Sequence, residues 1–313
     1  MTQAAYVTAA DALDGWKDDL LSGNKPTFWP IGDSPLDRIE LGPGLVILLG
    51  GAPGAGKTAL AMQLLIDALR LTPGLRGLCC SVEMPPAVLL DRQLARLSGI
   101  DATTIRYRQF GAEHGERLEL GLAQLEAVAD RLAFCRPPFD LANVAASADA
   151  FHADVLLLDY IQRIPPPGNH ADNRVAVNKS MDYLRQFAEA GAGLLVVAAV
   201  GRTKDRRGRS SYDADGLSLA SFRETSELEF GADSAFILAP PGKKDDPNLL
   251  TLKHLKSRHG ECRDLRLRFD KPIQRFTDGT AWNPDAGVAV DLAAAWDATT
   301  PAADDWGDRW QDT

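Results

Sequence analysis

The chain has 313 residues, 45% hydrophobic and 25% charged, which suits a globular protein of one large α/β domain or two small ones. A net charge of −9 excludes a nucleic-acid footprint spread over the whole surface, so any such contact needs a local basic patch. No apolar run reaches the ~20 residues of a membrane span, and the early acids Asp11, Asp14, Asp18 and Asp19 do not fit a signal peptide.

From the amino terminus, the first expected element is a helix over residues 9–21 with Thr8 as its N-cap. Leu13, Trp16, Leu20 and Leu21 form one apolar stripe. One helix cannot bury such a stripe alone, so it needs its own domain or a neighbouring subunit. Residues 25–44 hold Pro26, Pro30, Pro35 and Pro43 and read as an extended linker into the domain.

Next comes the most informative stretch. Gly51, Ala52, Pro53, Gly54, Ala55, Gly56, Lys57 and Thr58 fit G-x-x-x-x-G-K-[ST], between an apolar strand at 45–49 and an amphipathic helix at 59–69. Glycines let successive N–H groups turn inward around a phosphate, and the helix N-terminus adds positive potential. Lys57 supplies a point charge for the β- and γ-phosphates, and the Thr58 hydroxyl suits Mg²⁺. ATP and Mg²⁺ are the expected ligands.

A second buried strand at 77–82 ends at Glu83, on the ligand edge of a doubly wound sheet. There Glu83 suits either a water-polarising base or an acid favoured near a helix N-terminus; spacing leaves both open. A helix at 87–97, a turn at 100–104 with Asp101 as cap, a helix at 113–131, a strand at 132–135 and a helix at 140–152 follow. The apolar strand 155–158 closes on Asp159, a Walker-B pattern whose carboxylate would serve the Mg²⁺ shell.

A helix at 173–189 and a strand at 193–200 lead to a basic, glycine-punctuated loop at 201–215. Arg202, Lys204, Arg206, Arg207 and Arg209 concentrate positive charge there, suited to a phosphate backbone. A short polar helix at 221–230, a strand at 234–238, a charged turn at 240–247, antiparallel strands at 249–255 and 265–269 and a last strand at 273–277 complete the pattern. Beyond about residue 295 the Ala- and Asp-rich tail reads as disordered. Cys79, Cys80, Cys135 and Cys262 show no C-x-x-C pair and read as small core residues of a reducing cytoplasm.

The order of these features resembles the C-terminal motor domain of DnaB-type replicative helicases, within the RecA-like ATPases. The resembling blocks are the phosphate loop, Ser81-Val82-Glu83-Met84, Asp91 to Ile100, Asp159-Tyr160-Ile161-Gln162, Arg223 to Asp233, and Lys256-Ser257-Arg258-His259-Gly260. The resemblance implies an α/β, RecA-like P-loop NTPase fold: a mostly parallel twisted sheet flanked by helices, with a C-terminal antiparallel hairpin. It divides the chain into a linker-like helix at 1–24, an ATPase domain at 25–280 and an acidic tail at 281–313.

It also implies roles. Glu83 would be the catalytic base. Lys256 and Arg258 would reach the adjacent subunit's ATP as a lysine and an arginine finger. Arg223, Glu224 and Ser226 would face a channel holding single-stranded DNA. The implied assembly is a homo-oligomer, a hexamer, working as a helicase or translocase in replication with a loader or primase as a further partner. The alternative is an accessory ATPase or switch without unwinding. Two departures stand out. The stretch before Lys25 is too short for the family's amino-terminal domain, and Ala198 and Ala199 stand where the family carries a Ser-Gln pair that senses the γ-phosphate.

Overall fold

Alternation in the strand before the phosphate loop fixes how the domain is layered. In the computed structural model, β1 (Val46–Gly51) is buried along its whole length. Ile47 and Leu49 enter one core, and Val46 and Leu48 enter a second on the other side, as period-2 alternation requires of a strand covered on both faces. The structure describes residues 6–168, 173–201, 203–204, 210–211, 217–222, 231–241 and 246–280.

β2 (Gly77–Ser81), β3 (Leu132–Phe134), β4 (Val155–Asp159) and β5 (Gly193–Val197) follow in the chain. Then come a separate ribbon of β6 (Thr203–Lys204) and β7 (Ser210–Ser211), and the strands β8 (Ser234–Ala239), β9 (Leu249–Ser257), β10 (Leu265–Asp270) and β11 (Arg275–Asp278). Among the described residues the main sheet has nine strands in the order β11-β10-β9-β8-β1-β5-β4-β2-β3. The six from β8 to β3 run parallel, and β9, β10 and β11 are antiparallel additions. All six parallel strands therefore deliver their C-terminal ends to one edge, where open α/β sheets bind ligands.

Helices cover both faces. After α1 (Ala9–Ser22), α2 (Lys57–Leu71) lies in the first core, where Leu60, Leu65, Ile66 and Leu69 are solvent-free. Burying each such side chain contributes on the order of 1.5–3 kcal/mol. α3 (Pro86–Ser98), α4 (Ala102–Tyr107) and α5 (Gly115–Ala129) build a satellite cluster beside it, while α6 (Leu141–Phe151) and α7 (Asn173–Glu189) cover the opposite face. Asp140 caps α6 by accepting from the Asn143 N–H.

Several expectations need correction. Residues 25–44 are no loose linker: Trp29, Ile31, Leu36, Ile39 and Leu41 are buried in the first core, and the Trp29 N–H donates to Leu41 O at 2.7 Å. The prolines stiffen a segment whose intervening apolar residues pack under the sheet. The turn at 100–104 is the start of α4, with the Asp101 carboxylate accepting from the Thr103 N–H. Cys262 is exposed, unlike the three buried cysteines.

α1 forms as expected, with a Thr8–Asp11 capping box, but none of its residues is buried. Trp16 and Leu21 are exposed, so the stripe finds no cover among the described residues. Of the stretch expected as a polar helix at 221–230, Ser221 and Phe222 end a 3₁₀ turn at Leu219–Phe222; residues 223–230, 242–245 and the tail at 281–313 lie outside the described residues.

Candidate active site

The phosphate loop leaves β1 at Gly51 and enters α2 at Lys57. Gly54 (φ 76°) and Gly56 (φ 96°) are left-handed, which a side chain resists. Gly56 is doubly required, because a Cβ there would lie 2.9 Å from the rings of Phe269 and Phe276. Gly51, Ala52, Pro53, Gly54, Ala55 and Gly56 thus curl around the N-terminus of α2.

Lys57 Nζ donates to Gly51 O at 2.8 Å and Ala52 O at 3.1 Å. Burial holds its pKa below the usual lysine value, opposed by the charges of Asp159 and Glu83. Thr58 Oγ1 donates to Asp159 Oδ2 at 2.8 Å, across 101 residues of chain. Burial raises the Asp159 carboxyl, and the Thr58 hydrogen bond and Lys57 charge oppose it. One hydroxyl and one carboxylate oxygen, both hard donors at the mouth of a phosphate loop, fit Mg²⁺. That ion takes few protein ligands and fills its octahedron with water and phosphate oxygens.

Pairing in the sheet brings the rest together. β2 pairs with β4 so that Ser81 faces Asp159, and Glu83 follows two residues later. Glu83 is exposed on a cavity of about 480 Å³ that Lys57, Thr58 and Asp159 also line. A larger cavity of about 680 Å³ adjoins it beyond Glu83, walled by Phe134, Cys135 and Phe139.

Two residues without an assigned role in the sequence reading lie here. Arg92, from α3, lines the phosphate cavity; burial lowers its pKa while Asp159 sustains its charge. Its signal was an arginine within the Asp91-Arg92 block, on the helix that follows Glu83. Gln162 exchanges two hydrogen bonds with the backbone of Ala199: Nε2 donates to Ala199 O at 3.2 Å, and Ala199 N donates to Oε1 at 3.1 Å. Ala199 lines the same cavity. A side-chain amide thus fixes the end of β5 at the position where the sequence lacks the Ser-Gln pair.

The expected finger residues are elsewhere. β9 runs antiparallel to β8, with Lys256 opposite Ala235 and Ser257 opposite Ser234. This carries Lys256 and Arg258 to the edge where β1 begins. The six residues of β1 separate that edge from the phosphate loop by roughly 17 Å at ~3.3 Å per residue. Arg258 and Lys57 of one chain therefore do not meet.

Of the expected DNA contacts, Arg202, Arg206, Arg207, Arg209, Arg223, Glu224 and Ser226 lie outside the described residues. Lys204 sits in β6, paired with Ser210, so the stretch expected as a loop contains a short ribbon. Phe222, immediately before Arg223, is fully buried against β1: a Cβ at Gly50 would meet its ring at 2.6 Å.

A family model described as the DnaB-like helicase C terminal domain matches residues 34–278. The DNA helicase/primase of Enterobacteria phage T3 is 26% identical over 133 residues, covering 42% of this chain and 22% of that protein. The replicative DNA helicase DnaB of Pasteurella multocida (strain Pm70) is 27% identical over 263 residues, covering 78% of this chain and 54% of the relative. The chain spans about half or less of the length of these two relatives. Among solved structures, one described as an ATPase domain superposes with a TM-score of 0.74 at 18% identity, covering 87% of this chain and 99% of that one. A DnaB-like replicative helicase described with its interactions with primase gives 0.73 at 18% identity, covering 89% and 68%. Both likenesses carry the RecA-like fold.

Proposed function

The chain belongs to the DnaB-like helicase C-terminal domain family, and from that premise we propose that it is the ATP-driven motor of a ring, a hexamer, that moves on single-stranded DNA. The observation that carries this reading is the separation of two half-sites on opposite edges of one sheet. One edge holds Lys57, Thr58, Glu83 and Asp159; the other holds Lys256 and Arg258. A surface with complementary halves on opposite sides joins head to tail, and such contacts give a ring when the rotation between copies closes and a filament when it does not.

In this reading the loop N–H groups and Lys57 cradle the triphosphate, and Thr58 and Asp159 hold Mg²⁺, which neutralises phosphate charge when bound. Glu83 orients the attacking water and accepts its proton. Arg258 and Lys256 of the next subunit meet the negative charge that spreads over the transferring phosphoryl oxygens. The exposed stripe of α1 finds its cover on a neighbour. The basic residues from Arg202 to Arg209, with Arg223, Glu224 and Ser226, face the DNA backbone. Phe222 against Gly50 supports a direct link from that segment to the phosphate-loop strand.

The test is complementation. Alone, Lys57→Ala subunits should be inactive and Arg258→Ala subunits should keep only a small residual turnover. Mixed, they regain turnover, because some interfaces then join an intact loop to an intact finger. No recovery on mixing, together with a particle that stays monomeric in ATP and turnover indifferent to single-stranded DNA, rejects the ring motor. A second reading, an accessory ATPase without unwinding, is favoured by Ala198 and Ala199 at the sensor position. Strand displacement separates the two: DNA-stimulated hydrolysis without displacement selects the second.

A further inference from the structure

A carboxylate at the edge opposite the phosphate loop gathers more partners than any other acid among the described residues. Asp233 is only 4% exposed. Its Oδ2 accepts from the Val46 N–H at 2.8 Å and from Arg185 Nη1, on α7, at 2.8 Å. Its Oδ1 pairs with Arg258 Nη1 at 3.2 Å and lies 3.9 Å from His259 Nε2. The backbone repeats the pattern: Asp233 N donates to Val46 O, and Arg258 N donates to Asp233 O, both at 2.8 Å.

A desolvated carboxylate is tolerated only when paired and hydrogen-bonded. Arg185 and the Val46 N–H already meet much of that need. Arg258, by contrast, keeps a side chain 40% exposed while its guanidinium rests on Asp233. The exposed Arg263–Glu261 pair of the same segment lacks that burial, and ion pairs of that kind hold a side chain weakly. Asp233 instead grips Arg258 at the guanidinium and at the backbone, and is itself fixed to the first residue of the phosphate-loop strand.

We propose that Asp233 is a positioning residue that aims the Arg258 guanidinium at the neighbouring subunit's triphosphate and registers that aim to Val46, the root of β1. The inference rests on Arg258 acting in trans. A long arginine gives up rotamer freedom when it engages a phosphoryl group, and a preset orientation removes much of that cost. Because Val46 and the phosphate loop are two ends of one strand, the finger that serves one ATP moves with the strand that holds the next.

The experiment is a double-mutant cycle on the full chain with Asp233→Asn, which keeps the acceptor for Val46 but removes the charge. Steady-state turnover is measured with nucleotide titration and thermal unfolding. The expected result is a fall in kcat of about tenfold to a hundredfold, the scale of a misplaced catalytic group, with KM for ATP and particle size unchanged. In the Arg258→Ala background the same change has no further effect on kcat, because the two act through one contact. Unchanged kcat, or an equal loss in both backgrounds, overturns the proposal. If Arg258→Ala alone leaves turnover intact, the trans-acting finger itself fails, a different outcome from additivity. Should Asp233→Asn fail to fold, Asp233→Glu keeps the charge and shifts the guanidinium by one methylene: lowered kcat at constant KM supports the aim, and wild-type kcat overturns it.

Discussion

The two edges of the central sheet are built in opposite ways. At the phosphate edge, one continuous stretch from Gly51 to Thr58 supplies the loop, the lysine and the hydroxyl, and the strand–loop–helix turn holds them by local geometry. At the far edge nothing is contiguous. Val46, Arg185, Asp233 and Arg258 come from four separate stretches of chain, and the Val46–Asp233 bond spans 187 residues. The first site is a motif that the fold displays; the second exists only because β9 turns back along β8. A mutation at the first should impair a single subunit, whereas one at the second should be felt by the neighbour.

The largest expected effect tests that contrast directly. Arg258→Ala should lower kcat on the order of a thousandfold or more, as removal of an arginine finger does, while nucleotide affinity measured by fluorescent-nucleotide titration stays near wild type. Lys57→Ala should instead abolish nucleotide binding itself. If Arg258→Ala weakened binding as strongly as Lys57→Ala, the two edges would not be separate half-sites.

A smaller effect concerns one glycine before the loop and one within it. Gly50→Ala forces a methyl into the ring of Phe222 at 2.6 Å and against Val200 at 2.8 Å. Overpacking of this kind costs about 1–3 kcal/mol and should lower the unfolding midpoint and disturb the segment that begins at Arg223. Gly54→Ala meets no atom within 4 Å, so only its φ of 76° opposes it, at about 1 kcal/mol. Equal loss of thermal stability for the two variants would mean that Phe222 yields easily and that no firm contact joins it to β1.

The same contrast explains what the sequence could reveal. Strands and helices of the parallel half were legible because period-2 and period-3.6 patterns are local, and Asp159 was legible because an acid closes an apolar run. Residues 25–44 were misread because four prolines outweighed Trp29, Ile31 and Leu36, whose burial depends on a distant strand: a Cβ at Gly193 would lie 2.5 Å from the Trp29 ring. Arg92 and Gln162 stood inside recognised blocks, but their targets, the phosphate cavity and the Ala199 backbone, are set by tertiary packing. Asp233 closed another such block without a role of its own, since an acid beside an apolar strand looks like an ordinary surface residue until burial is known.

Gln162→Ala gives the smallest expected change and bears on coupling between the two edges and the DNA. The Gln162–Ala199 exchange of two hydrogen bonds is exposed, so its loss costs on the order of 1 kcal/mol and leaves the fold intact. Lys57, Glu83 and Asp159 keep their places, because the amide of Gln162 bonds to Ala199 and not to them. What is released is the end of β5, two residues after Val197 and immediately before Val200 and the basic segment that begins at Arg202. Turnover without DNA should therefore stay near wild type, while the stimulation by single-stranded DNA should shrink. A backbone held by a side-chain amide can pass displacement between the phosphate loop and the basic segment even though Ala198 and Ala199 have no polar side chain to do so. Full stimulation in Gln162→Ala would show that the link runs instead through Phe222 and Gly50, and combining Gln162→Ala with Phe222→Leu would then reveal which contact carries the signal.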